Sequence, residues 1–197
     1  MRNSDLHGSA PDHSELALLI VDVINDLDFP EAAQILRFVP AFARNLARLK
    51  ERARAAGVPV IYVNDNFGRW RSDVRALVEH CRAGVARELI DRLRPGQQDY
   101  FVFKPKHSGF FSSTLDTLLR YLGARRLIIT GIAGNFCVFF TANDAYMRDY
   151  GLLVPSDCSI SNTKRENREA LRLMERYLKA DVSVASRIKF PRQKKRR

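Results

Sequence analysis

Apolar strand-like runs alternate with helix-length amphipathic segments along this chain, and that alternation constrains the fold more than any other feature. Residues 16–23 form an apolar run interrupted only by Asp22, as expected of a strand covered on both faces. Further strands are expected at 58–63, 100–104, 126–130 and 152–155, with a short edge strand near 182–184. Pro40 suits the first turn of a helix presenting Phe42, Leu46, Leu49 and Ala53 on one face, with Gly57 as its stop. Ser72 is read as the cap of a helix carrying Val74, Leu77, Val78 and Cys81, and residues 87–93 extend or follow it. Ser113 is read as the cap of a helix closed by Gly123. Two more helices are expected from Val138 towards Tyr150 and over 165–179.

Strands and helices in this order imply βαβ crossovers, hence a three-layer α/β/α fold with a mostly parallel, Rossmann-like sheet and helices on both faces. A chain of 197 residues suits one domain. Its expected span is 15–190, between a flexible N-terminal tail at 1–14 and a basic tail at 191–197. No apolar run reaches the roughly 18 residues needed to cross a bilayer, and residues 1–14 lack a signal-peptide core. A soluble cytoplasmic protein without a membrane partner is therefore expected. Cys81, Cys137 and Cys158 are odd in number and lack metal-site spacing, which favours reduced thiols. The net charge of +11 would attract anionic substrates, nucleic acid or acidic surfaces.

In open parallel sheets, ligands bind beyond the carboxyl ends of the strands. Three reactive side chains fall at such ends: Asp22 in the first strand, Lys104 closing the third, and Cys137 after the fourth. Cys137 also opens a helix, where the positive end of the helix dipole favours thiolate over thiol.

Three segments carry a resemblance to a known family: residues 17–26, residues 103–110, and Gly131-Ile132-Ala133-Gly134-Asn135-Phe136-Cys137-Val138. In order and context they resemble the isochorismatase-like cysteine hydrolases, which include nicotinamidases, N-carbamoylsarcosine amidases and ureidoacrylate amidases. The resemblance covers about residues 15–188. It implies a six-stranded parallel sheet and a catalytic triad of Asp22, Lys104 and Cys137. Cys137 would be the nucleophile, Lys104 would stabilise its thiolate, and Asp22 would carry the proton to the leaving amine. It also implies a cis peptide between Ile132 and Ala133, with the N–H groups of Ala133 and Cys137 forming an oxyanion hole.

Departures from the family narrow the expectation. Nicotinamidases carry a metal site with an Asp-x-His element after the second strand, whereas this chain has Phe67 at the histidine position and four scattered histidines. No metal and no organic cofactor are therefore expected. The cysteine favours amide, carbamoyl or ureido hydrolysis through a thioester over the vinyl-ether cleavage of isochorismatase itself. The loop after the second strand supplies Asn64, Asp65, Arg69 and Trp70 as pocket candidates, with Phe110 as a further apolar wall and Arg69 as a carboxylate clamp. Family members are commonly oligomers, so a dimer or larger homo-oligomer is expected by analogy. The alternative is a non-enzymatic binding protein holding nucleic acid or an acidic partner through its basic surface and the tail 192–197, in which five of six residues are basic. No nucleic-acid-binding motif accompanies that tail, so a nucleic-acid partner is not the favoured expectation.

Overall fold

A computed structural model of the chain describes residues 13–68, 70 and 73–190. The proposed tails therefore lie outside the described residues, except for His13 and Ser14 of the first. Ser72, the expected helix cap, also lies outside them.

Six strands form one sheet: β1 (Leu16–Val21), β2 (Val60–Asp65), β3 (Tyr100–Lys104), β4 (Arg126–Ile132), β5 (Gly151–Leu153) and β6 (Ser159–Ile160). The order is β3-β2-β1-β4-β5, with β6 also paired to β4, and every pairing is parallel. Among the described residues, seven α-helices connect and cover it: α1 (Ala32–Leu36), α2 (Val39–Ala55), α3 (Val74–Arg82), α4 (Arg87–Leu93), α5 (Leu115–Leu122), α6 (Cys137–Tyr146) and α7 (Lys164–Leu178).

The central strand shows why the sheet is buried on both sides. Leu16, Leu18 and Ile20 face a core shared with α1, α2, α3 and α4. Ala17, Leu19 and Val21 face a second core shared with α5, α6 and α7. The period of two along an unbroken apolar run thus builds a three-layer sandwich, with each buried Leu or Ile contributing about 1.5–3 kcal/mol relative to exposure. The helices follow their sequence signals. Phe42, Leu46, Leu49 and Ala53 are all buried on α2, with Pro40 in its first turn. A capping box between Thr163 and Glu166 starts α7.

Three expectations are corrected. The sixth strand is Ser159–Ile160, beside the end of β4, whereas residues 182–184 make no strand and only Asp181 bridges to Leu153. Asp73, not Ser72, caps α3 by accepting from the Ala76 N–H. The α6 helix ends at Tyr146, earlier than the sequence suggested. Among the described residues no helix is long and apolar enough to cross a membrane.

Because all strands run the same way, their carboxyl ends share one edge. The register sets Asp65 of β2 opposite Lys104 of β3, and Val21 of β1 beside both Val63 and Gly131.

Candidate active site

Asp22 is the first residue beyond β1 and takes a left-handed conformation with φ of 49°. An aspartate tolerates that region better than most residues do. Its N–H donates to the Val63 carbonyl at 3.0 Å, and its Oδ1 accepts the Asp65 N–H at 2.6 Å, so β2 fixes the carboxylate from two sides. Asn64 holds the next segment: its Oδ1 accepts from the Ile24 N–H at 3.0 Å, and its Nδ2 donates to the Ile24 carbonyl at 2.9 Å.

Lys104 ends β3 and is wholly buried. Its Nζ lies 2.8 Å from Asp22 Oδ2, 3.6 Å from Asp65 Oδ2 and 3.8 Å from Cys137 Sγ, and donates to the Lys106 carbonyl at 3.0 Å. Cys137 is the first residue of α6. Its thiol and the Asp22 carboxyl act on each other electrostatically, which completes a cluster of carboxylate, ammonium and sulfur.

Electrostatics here differ from the sequence expectation. Burial, ahead of all other influences, raises the Asp22 carboxyl above its ordinary value, and Lys104 only partly counters it. Burial and then the charge of Asp22 push the Cys137 thiol well above the usual range, with Lys104 again offsetting only part. Burial would lower Lys104, but Asp22, then Cys137 and Asp65, more than compensate and hold its ammonium above the ordinary value. These directions favour a protonated thiol at rest beside the Asp22–Lys104 pair, rather than the preformed thiolate that the helix dipole suggested.

The turn from β4 into α6 is held by close backbone approach. A Cβ on Gly131, which has φ of 128°, would sit 2.0 Å from the Val21 carbonyl oxygen, so only glycine fits. The Ile132–Ala133 peptide bond is cis. Gly134 N–H donates to the Ile160 carbonyl, Asn135 N–H to Ser161 Oγ, and the Phe136 and Val138 N–H groups to the Ala133 carbonyl. Among the described residues, the N–H groups of Ala133 and Cys137 have no such partner.

A cavity of ≈ 500 Å³ opens over this cluster, with Asp22, Cys137 and Ala133 in its wall and Lys104 behind it. Of the pocket residues expected from sequence, Asp65 lines the cavity. Asn64 does not, being buried beneath the Ile24 backbone. Phe110 packs in the core beneath α5 and α6. Trp70 is 82% exposed and is not part of the wall, and Arg69 lies outside the described residues. The structure adds Asn25, Phe29, Glu31, Asn135 and Asn162 to the wall. Asn25 and Asn135 fall inside the segments that carry the family resemblance, but Glu31 and Asn162 carry no periodic or motif signal. Among the described residues, no group of three or more His, Cys, Asp and Glu side chains is arranged to hold a metal ion.

The comparisons agree with this architecture. The isochorismatase domain profile matches residues 16–186. An uncharacterized isochorismatase family protein of Bacillus subtilis, YaaI, is 42% identical over 175 residues, covering 89% of this chain and 97% of its own. The ureidoacrylate amidohydrolase RutB of Serratia proteamaculans is 32% identical over 174 residues, covering 74% of this chain and 69% of its own. Among solved structures, N-carbamoylsarcosine amidase from Thermoplasma acidophilum superposes with a TM-score of 0.69 at 26% identity, covering 89% of this chain and 99% of that one. A six-stranded parallel sheet, a domain match along nearly its whole length and a full-length relative together place the chain in the isochorismatase family.

Proposed function

We propose that the protein is a cysteine hydrolase that cleaves the C–N bond of a small amide, carbamoyl or ureido compound. The observation that carries this reading is the Asp22–Lys104–Cys137 cluster in the wall of an open cavity, beside two unengaged backbone N–H groups. Similar proteins named as an amidohydrolase and an amidase support it.

In the proposed reaction, Asp22 takes the Cys137 proton as Sγ attacks the substrate carbonyl carbon. Lys104 holds the negative charge that passes between carboxylate and sulfur. The carbonyl electron pair moves onto oxygen, where the N–H groups of Ala133 and Cys137 receive it; one such donor typically lowers a barrier by about 2.7–4 kcal/mol. Collapse of this intermediate breaks the C–N bond, and the amine leaves with the proton from Asp22. A thioester remains on Cys137. Water then attacks it while giving a proton to Asp22, and that proton returns to sulfur as the C–S bond breaks.

The test is a panel of small amides, carbamoyl compounds and ureas incubated with the full chain and with Cys137→Ala. Wild-type enzyme is expected to release the amine and to show an acyl adduct on Cys137 by mass spectrometry. Equal release by Cys137→Ala, or no release across the panel, would reject the reading.

A further inference from the structure

We infer that the cavity in which Cys137 and Asp22 meet Glu31 and Asp65 selects neutral or cationic amides and disfavours those carrying a carboxylate. This rests on the hydrolase reading and names its substrate class.

The chain as a whole carries +11, yet its reaction cavity has the opposite character. Its described ionisable lining residues are Asp22, Glu31, Asp65 and Cys137, and no lysine, arginine or histidine stands among them. Lys104 does not serve the cavity as a free cation, because it is fully buried and bound by Asp22, Asp65 and the Lys106 carbonyl. If the Lys104 charge offsets Asp22, Asp65 and Glu31 remain as unbalanced acids. The rest of the polar wall is Asn25, Asn135 and Asn162, whose amides donate and accept but carry no charge. Phe29, Ile35, Phe67 and Phe136 supply apolar surface.

Recognition of a carboxylate within such a wall calls for an arginine fork or its equivalent. Here a carboxylate would meet like charge. An ammonium would meet Glu31 and the aromatic faces instead, both of which favour a cation. The reading separates this chain from its named relative, since ureidoacrylate is by its name a carboxylate.

Two measurements test it. The first compares kcat/KM, by ammonia release, for three matched primary amides: pentanamide, 5-aminopentanamide and 5-amino-5-oxopentanoate. The neutral and cationic members are expected to exceed the anionic one by about 10-fold or more at low salt. Glu31→Gln is expected to narrow the cation-to-anion ratio about threefold to tenfold, and Arg69→Ala to leave the order unchanged. The second uses cationic and anionic methanethiosulfonates of similar size. Cys137 sulfur attacks the reagent to form a mixed disulfide and expel methanesulfinate, and peptide mass spectrometry reads the rate at this thiol, normalised to a free thiol. The cationic reagent is expected to be faster.

The second measurement does not require turnover, so the two ideas fail separately. If none of the small amides, carbamoyl compounds and ureas is hydrolysed but Cys137 still favours the cationic reagent, the hydrolase reading falls while the charge preference of the cavity stands. Preference for the anionic amide or reagent, absence of charge dependence, or failure of both reagents to reach Cys137 overturns the inference. An anionic preference abolished by Arg69→Ala would also overturn it and would identify the missing clamp.

Discussion

The fold buries two lysine–aspartate pairs at opposite ends of β3, and they do opposite things. At the amino end, Lys50 of α2 lies 3.0 Å from Asp99 and donates to the Tyr62 hydroxyl at 2.7 Å and the Arg94 carbonyl at 2.8 Å. Asp99 is equally occupied, with Arg54 at 2.7 Å and the Gly96 N–H at 2.7 Å. At the carboxyl end, Lys104 and Asp22 are as close, but the Cys137 thiol stands 3.8 Å from the Lys104 ammonium and Asp22 borders open space. Burial wins at Lys50 and lowers its proton affinity despite Asp99, whereas the acids around Lys104 raise its affinity. A buried ion pair by itself is weak evidence for a site. What marks the second pair is a thiol and a cavity beside it.

The sharpest way to break this contrast is to remove the sulfur. Cys137→Ala is expected to lower amide turnover about 10⁴-fold or more with the fold retained, and Asp22→Asn about 10²- to 10⁴-fold. Residual activity near wild type in either variant, by steady-state kinetics, would make the two pairs equivalent.

The pH profile comes next. The proposed reaction needs Asp22 as carboxylate, so kcat/KM should fall as pH drops, with its acid limb above the ordinary carboxylate value because burial raises Asp22. Loss of the thiol proton from the coupled cluster at high pH sets the other limb, above the ordinary thiol value. Lys104→Met removes an influence that lowers Asp22, so the acid limb should move further up. An unmoved limb would deny that Lys104 acts on Asp22.

At the amino end the readout is stability. Lys50→Met leaves Asp99 with Arg54 and the Gly96 N–H and is expected to cost about 3 kcal/mol, or roughly 6–12 °C in Tm, with kcat/KM unchanged. The smallest effect is expected from Arg54→Met, about 0.5 kcal/mol, because Arg54 is partly exposed and Lys50 still holds Asp99. Calorimetry and kinetics on both variants would expose any leakage of the structural pair into catalysis.

The sequence disclosed the central sheet because β1 to β4 are buried runs bounded by turns, and the triad candidates because they close or follow those runs. It misplaced the last strand for a physical reason. Val182-Ser183-Val184 alternates like an edge strand, while Ser159–Ile160 is two residues long and owes its pairing to the end of β4, which no local pattern reports. The pocket wall was harder still. Asn64 and Phe110 looked like lining but point their polarity and bulk into the scaffold, and Glu31 arrives from an irregular segment ahead of α1. The direction of the Cys137 titration was also missed, because helix position suggests thiolate whereas burial beside Asp22, visible only in three dimensions, outweighs it.

Ser161 Oγ accepts the Asn135 amide and donates to Asn167 Oδ1, while Asn167 Nδ2 reaches the Ser159 carbonyl. The turn that leads into Cys137 is thus moored to the opening of a helix far along the chain. A substitution at Gly134 would collide with Asn167 directly, since its Cβ would lie 2.1 Å from Oδ1. Evolution of this enzyme's reach therefore has to move two distant stretches together, and the amides of Gly134 and Asn135 should exchange with deuterium in step with the first turn of α7.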